Sequence, residues 1–486
     1  MKQILSQMSL TLRDYQEYAV NEGVAYFKNK KEKKNKIICS PCGSGKSIII
    51  GAIANSLDNV LVFQPSVELL KQNYSKFTMF GGKATIYSSS AKEKNISNKC
   101  FVTVGSIKNL AKEFKELGVK NILMDEAHLF SDSDTGMFKK FVKELGVGVK
   151  ILGFTATPFK LKTVSGQTFY DNYSEIRLLP RMSPKLFSDF LINIPNSYIH
   201  SQKYWKNICY ESRNISSKGL KLNSTGSDYT EESLQRWYEG NELDEKIISE
   251  LRTQIFENNK SSILVFVPNI AKANELNKIC KEKLNKKSFV ITSETNSKER
   301  KDILENFVNK NVSDVQILFS VATLLVGFDA PNIDCLINSR ATNSLAIWLQ
   351  MLGRAVRMSD VVNEALVVDF TQNLTKFGQI EEIDVQYIDG YGWALCRNST
   401  GQILNNVRLD EGYEKVYKHQ LCKGIVPNQS VISLMPLGEF EGEPINSEKI
   451  GTKYLEFCLK NVKFNGILGK VNKTIIEKEL IRRKNL

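Results

Sequence analysis

Residues 40–47 read SPCGSGKS. Glycines at 43 and 45 let a backbone fold closely around a phosphate, and a helix starting there would aim its free N–H groups and positive dipole end at it. In such a loop Lys46 reaches the β- and γ-phosphates and the Ser47 hydroxyl holds Mg²⁺. Gly43, Ser44, Gly45, Lys46 and Ser47 are therefore candidate nucleotide contacts. The pattern G-x-x-x-x-G-K-[ST] asks for glycine where Ser40 stands, at a position where glycine mainly eases a turn. A second stretch, LMDEAHLF (123–130), brings an apolar strand to two acids at its carboxyl end, where open α/β sheets bind ligands. Asp125 is the candidate second holder of Mg²⁺, largely through water, and Glu126 the group that polarises an attacking water. His128 would sit beside them as a relay. A third stretch, QMLGRAVR (350–357), puts Arg354 and Arg357 on one helix face at i, i+3. Planar guanidinium groups suit bidentate phosphate binding. Donated across an interface, such an arginine is worth about 10³–10⁵ in the rate of phosphoryl transfer.

Those residues need a scaffold of parallel strands. KIICS (36–40) reads as a short strand ending at the loop, and SIIIGAIANSL as the helix after it. NVLVFQPS (59–66), CFVTVGS (100–106), VKNILMDEAH (119–128) and VKILGFTAT (149–157) read as further strands, separated by helical stretches. Residues 166–245 are polar and rich in Asn, Ser and Tyr, and read as a connector or insert with some helix. Tyr204, Trp205, Trp237 and Tyr238 lie there, as a small core or as base-stacking groups. A second α/β run follows with SSILVFVP (261–268), KSFVITS (287–293), VQILFSVATLL (315–325), NIDCLINSR (332–340) and NEALVVDF (363–370). In 379–486, VQYIDGYGWALCRN suggests a hairpin turning at Asp-Gly, and KTIIEKELIRRKN a basic helix. The expected organisation is 1–165, 166–245, 246–378 and 379–486.

The chain has 486 residues and a net charge of +13, a surplus that favours polyanions, nucleic acid first. Its nine cysteines are scattered, which suits a reducing compartment. Cys39 and Cys42 have C-x-x-C spacing, but no second pair answers them. The N-terminus lacks the apolar run of a signal peptide, and no stretch approaches a membrane span, so a cytoplasmic protein is expected, bacterial or in a phage-infected host.

SPCGSGKS, DEAH and GFTATPF, in this order, resemble superfamily 2 helicases and translocases. The resemblance covers about 10–165 and 245–375. It implies two tandem RecA-like parallel-sheet domains, with ATP and Mg²⁺ between them, followed by a small α+β domain. TLRDYQ (11–16) is similar to the Q-motif, which implies Gln16 at the adenine edge and Arg13 nearby. FQPSVELLKQ and VTVGSI resemble motifs Ia and Ib, implying nucleic-acid contacts at Pro65, Ser66, Gly105 and Ser106. Thr155 and Thr157 match motif III, which couples hydrolysis to domain movement, with His128 joining that group. SVATLLVGFDAP resembles motif V, with Thr323 on nucleic-acid backbone and Gly327 and Asp329 near nucleotide. QMLGRAVR matches Q-x-x-G-R-x-x-R of motif VI and adds Gln350 to the catalytic set. Within the superfamily the strings look most like phage UvsW-type and bacterial RadD-type proteins, which implies DNA, branched or at single-strand/double-strand junctions, as partner. The cysteine-rich zinc tail of RadD-type chains is not matched here. An RNA helicase, or the motor subunit of a restriction or remodelling complex, are the other readings.

Overall fold

The computed structural model describes residues 11–107, 109–129, 136–163, 174–178, 189–224, 228–308, 314–321, 330–388, 392–399, 402–403, 439 and 450–462, with scattered positions between 473 and 484. In the first half, strands β1 (Lys36–Cys39), β2 (Val60–Gln64), β3 (Thr85–Ser88), β4 (Glu93–Lys94), β5 (Lys99–Thr103), β6 (Asn121–Met124) and β7 (Lys150–Thr155) lie in one sheet. β8 (Phe159–Thr163) and β9 (Ser174–Leu178) form a separate antiparallel pair, and β10 (Asp189–Asn193) returns to the sheet. The sheet order is β10-β1-β7-β6-β2-β5-β3-β4, parallel except at β3–β4. KIIC and VLVFQ are buried at every position, as expected of strands covered on both faces by helices. Those helices include α1 (Asp14–Lys28), α2 (Lys46–Ser56), α3 (Val67–Met79), α4 (Ala111–Glu116) and α5 (Met137–Leu145).

The second sheet is built from β11 (Asn207–Ser212), β12 (Ser262–Phe266), β13 (Lys287–Ile291), β14 (Gln316–Ser320), β15 (Cys335–Asn338) and β16 (Glu364–Asp369). Its order is β11-β16-β15-β12-β14-β13, parallel throughout. These are two RecA-like α/β halves. The stretch 166–245 contributes to both: β10 pairs with β1 at the edge of the first sheet, and β11 pairs with β16 at the edge of the second. Between them lies only the short helix α6 (Asn196–Ser201). β11 reads NICYES and is mostly half-exposed, so it lacks the apolar run that marks a central strand. Trp205, Trp237 and Tyr238 are buried core residues.

In the second half, α7 (Glu231–Gly240), α8 (Leu243–Phe256), α9 (Ile270–Ile279), α10 (Ser297–Val308), α11 (Leu345–Ala355) and α12 (Asn373–Phe377) complete the layers. One apolar core continues from the first half through α11 onto one face of the second sheet, and a second cluster fills the opposite face. The chain then forms an antiparallel sheet of β17 (Ile383–Ile388), β18 (Gly392–Arg397) and β19 (Gln402–Ile403). The Asp-Gly turn expected between β17 and β18 lies outside the described residues. This sheet is pinned to the first half: Asn193 Nδ2 donates to Val385 O (2.6 Å) and Asn196 Nδ2 to Ile383 O (2.7 Å). Farther on, α13 (Thr452–Asn461) packs with Ile476 and Leu480 in a small cluster of its own.

Candidate nucleotide site

The loop 40–45 leaves β1 and enters α2, as the residue pattern requires. Gly43 (φ +72°) and Gly45 (φ +80°) take the left-handed conformation; Ser40 does not. The missing glycine is thereby explained, because no unusual backbone is asked of position 40. Its hydroxyl is instead bonded to that of Ser44 (2.6 Å), which donates on to Pro41 O (2.7 Å), while Ser40 N donates to Thr155 O (2.9 Å). The serine braces the loop. A side chain at Gly45 would collide with Gln16 Nε2, 2.5 Å from an ideal Cβ. Gln16 Nε2 donates to Ser44 O (3.0 Å), and its Oε1 accepts from Arg13 N (3.0 Å), so one amide caps α1 and ties it to the phosphate loop. Arg13 lies over the Tyr204 ring, 4.6 Å from its centroid.

At the end of β6, Asp125 is fully buried and Glu126 has φ +47°, a strained conformation for a non-glycine residue and one that clusters at functional sites. Lys46 Nζ reaches both acids, at 2.5 Å from Glu126 Oε1 and 3.3 Å from Asp125 Oδ1. Burial would depress the Lys46 ammonium, but the two carboxylates outweigh it and push its pKa above the ordinary lysine value. Burial raises the Asp125 pKa against the opposing pull of Lys46. The two carboxylates therefore hold the ammonium that anionic phosphate oxygens would compete for. Asp125 and Ser47 border the same cleft and would hold a hydrated Mg²⁺ ion. Among the described residues no group of three or more His, Cys, Asp or Glu is gathered for a metal. Neither Cys39 nor Cys42 is in a disulfide, and burial raises the Cys42 pKa, which disfavours a thiolate.

His128 Nδ1 is 2.8 Å from Thr155 Oγ1 and 3.4 Å from Glu126 Oε2. Thr155 Oγ1 also accepts from Thr157 N (3.0 Å). On its other side His128 Nε2 lies 3.5 Å from Gln350 Nε2, on α11 of the second half. The expected coupling residues are thus one connected group, and it crosses between the halves. α11 is capped by Ser344, whose hydroxyl accepts from Ile347 N, and buries Trp348, Leu349, Met351 and Leu352. That apolar face turns Gly353 and Arg354 toward the phosphate loop; Arg357 lies beyond the helix end at Ala355, so the two arginines border one cleft but do not share one helix face as their spacing suggested. An ideal Cβ on Gly353 would stand 2.4 Å from Cys42 Cβ, so glycine is what allows the contact. The result is a cleft of about 420 Å³ bordered by Arg13, Gln16, Lys46, Glu126, Arg354 and Arg357.

Pro65–Ser66 follow β2 and Gly105–Ser106 follow β5, neighbouring parallel strands with Gln64 opposite Thr103. The two segments therefore share one edge of the first sheet. Ser66 caps α3 by accepting from Leu69 N, and Ser106 Oγ accepts from Ser89 N (2.9 Å). Thr323, Gly327 and Asp329 lie outside the described residues. The residue reading missed Asn73, whose Nδ2 donates to Asp125 Oδ2 (2.8 Å), and Lys206, which with the expected core residue Trp205 wedges the connector between the loop and the end of α11. Asn73 follows the motif Ia stretch at helical spacing, a signal that only the contact makes meaningful.

Comparison with known proteins agrees with this geometry. Residues 9–160 match the family model described as type III restriction enzyme, res subunit, and residues 244–359 match helicase conserved C-terminal domain. The chain is 27% identical over 393 residues to a mitochondrial Schizosaccharomyces pombe protein named as the ATP-dependent helicase irc3, covering 77% of this chain and 59% of that one. A Saccharomyces cerevisiae protein named IRC3 is 28% identical over 149 residues, 31% of this chain and 21% of its own. A 51.5 kDa Lactococcus phage protein is 25% identical over 342 residues, 69% of this chain and 66% of its own. The chain thus spans less than two thirds of either yeast relative. In fold it is similar to the DNA-bound type ISP restriction-modification enzyme LlaBIII, with a TM-score of 0.53 at 16% identity over 74% of this chain and 28% of that one. It is also similar to a fragment of an HsdR subunit from Vibrio vulnificus, with a TM-score of 0.53 at 19% identity over 75% and 65%. A phosphate loop on one RecA-like half, an arginine helix on the other, and sequence matches to the restriction-enzyme res subunit and helicase C-terminal models support a superfamily 2 helicase.

Proposed function

We propose that the chain is an ATP-hydrolysing helicase or translocase that acts on DNA, and on branched intermediates in particular. The observation that carries the reading is the single cleft in which Lys46 and Glu126 of one half face Arg354 and Arg357 of the other. In this reading ATP phosphates displace Lys46 from Glu126. The freed carboxylate orients a water and takes its proton as the water oxygen bonds to the γ-phosphorus. The bond to the β-bridging oxygen breaks, and ADP and phosphate leave. Arg354 and Arg357 stabilise the charge on the transferring group only while the halves are closed. Mg²⁺ held by Ser47 and Asp125 would neutralise phosphate charge. Loss of the γ-phosphate releases α11, and the group Thr155–His128–Gln350 passes that movement to the sheet edge carrying Pro65, Ser66, Gly105 and Ser106. A basic chain of net charge +13 favours a polyanion at that edge.

The branched-DNA part rests on resemblance to UvsW-type and RadD-type motifs. A second reading, a motor subunit that moves on DNA without separating strands, is favoured by the match of residues 9–160 to a restriction-enzyme subunit model. One experiment separates them: steady-state ATPase without nucleic acid and with single-stranded DNA, linear duplex, four-way DNA or structured RNA, at matched phosphate and fixed salt. Stimulation greatest with four-way DNA supports the proposal. Equal stimulation by linear duplex with no strand separation supports the motor reading, and stimulation by RNA alone overturns both.

A further inference from the structure

We propose that Asn73 is a positioning residue of the nucleotide site: it orients the Asp125 carboxylate that would hold the hydrated cation. The proposal rests on the nucleotide reading above and extends it to a residue outside every motif named so far.

Asn73 and Asp125 are both fully shielded from solvent. Asn73 Nδ2 donates to Asp125 Oδ2 at 2.8 Å. The other carboxylate oxygen, Oδ1, accepts from Glu126 N at 2.9 Å and lies 3.3 Å from Lys46 Nζ. The carboxylate is gripped on both oxygens and cannot turn without breaking one of these bonds. The orientation of the Asn73 amide is equally determined, because only its NH₂ can face a carboxylate. Its oxygen is then committed to the other side, where it is buried and has no donor among the described residues. A buried acceptor left unpaired costs about 1–3 kcal/mol. A packing role alone would be met more cheaply by an apolar residue, so the bond to Asp125 is what the amide is there to make.

The position on α3 agrees. Leu69, Gln72 and Lys76, one turn before, adjacent to and one turn after Asn73, border the cleft. Mg²⁺ keeps several waters and takes few protein ligands. Among the described residues Asp125 is the sole buried carboxylate bordering this cleft, and its orientation decides how the cation is held. α3 is also the helix capped by Ser66, so the same amide links the sheet edge proposed to meet nucleic acid with the acid proposed to hold the metal.

The test uses the full chain and a fluorescent, non-hydrolysable ATP analogue, titrated at graded Mg²⁺ concentrations and in EDTA. Asn73→Ala is expected to raise the Mg²⁺ concentration for half-maximal binding by about 10- to 100-fold, with binding in EDTA and the far-ultraviolet circular dichroism unchanged. Asn73→Ser supplies the same comparison should the alanine variant not fold. An unchanged Mg²⁺ midpoint, or equal loss with Mg²⁺ and with EDTA, overturns the proposal and leaves Asn73 a packing residue. A parent protein that binds no analogue at any Mg²⁺ concentration overturns the nucleotide reading itself, and this proposal with it.

Discussion

Lys46 and Glu126 are bonded to each other in this structure, and the reaction requires them to part. Their roles are therefore separable by substitution. Glu126→Gln keeps the shape and a weaker partner for Lys46 but loses the proton acceptor. It is expected to bind ATP at near-parent affinity and to turn over about 10²–10⁴-fold more slowly. Arg357→Ala should lower kcat by about 10³ while changing ATP affinity far less, since an arginine acting across a closing cleft works mainly in the transition state. Single-turnover hydrolysis set beside equilibrium binding checks both. Parent-like turnover in Glu126→Gln would remove it as the base, and matched losses of rate and affinity in Arg357→Ala would make that residue a binding group. The residue pattern foretold these positions because phosphate chemistry requires particular side chains. It also explains why Ser40 is tolerated: only Gly43 and Gly45 carry positive φ.

Between elements, the contact that matters most is α11 against the phosphate loop. Gly353 has no room for a methyl group because Cys42 occupies it. Gly353→Ala is expected to push α11 away, destabilise the junction by about 1–3 kcal/mol and suppress nucleic-acid-stimulated ATPase more than ATP binding. Cys42→Gly removes the clashing carbon, so the double variant should regain junction stability relative to Gly353→Ala alone. A thermal-unfolding double-mutant cycle measures this coupling, and strict additivity would mean that the two residues do not meet. Parallel strands and their helices were legible in advance because buried strands are apolar runs. β10 and β11 were not, since each is an edge strand in polar surroundings and its pairing partner lies far away in the chain.

Over the whole molecule, Lys206 marks where the connector enters the second half. Its backbone N donates to Val356 O (3.0 Å), and its Nζ to Pro331 O and Ile333 O (2.7 Å each). Burial depresses its pKa to about 8, with Asp334 pulling upward and Arg357 pushing further down. The unfolded chain, near pKa 10.4, then holds more protons than the folded one between about pH 8 and that value. Stability contributed by this group accordingly rises with pH across that window and is lowest below pH 8. Lys206→Met should lack this rise. The difference in Tm, parent minus variant, is expected to increase from pH 8 to pH 10, and a constant difference would show that Lys206 does not titrate there. No helix among the described residues is long and apolar enough to cross a membrane.

Phosphate-loop, acid and arginine stretches could be read from residue types and spacing alone, because each is a local solution to a local demand: a tight turn, a strand ending in acids, two arginines three residues apart, of which only Arg354 proved to lie on the helix. So could the alternation of strands and helices. How these parts meet could not be read that way. The reach of Lys46 across 80 residues to Glu126, the bond from Asn73 to Asp125, the approach of Gly353 to Cys42 and the passage of the connector through both sheets are contacts between distant parts of the chain. They depend on packing two sheets against α11, and no short stretch of residues encodes that packing.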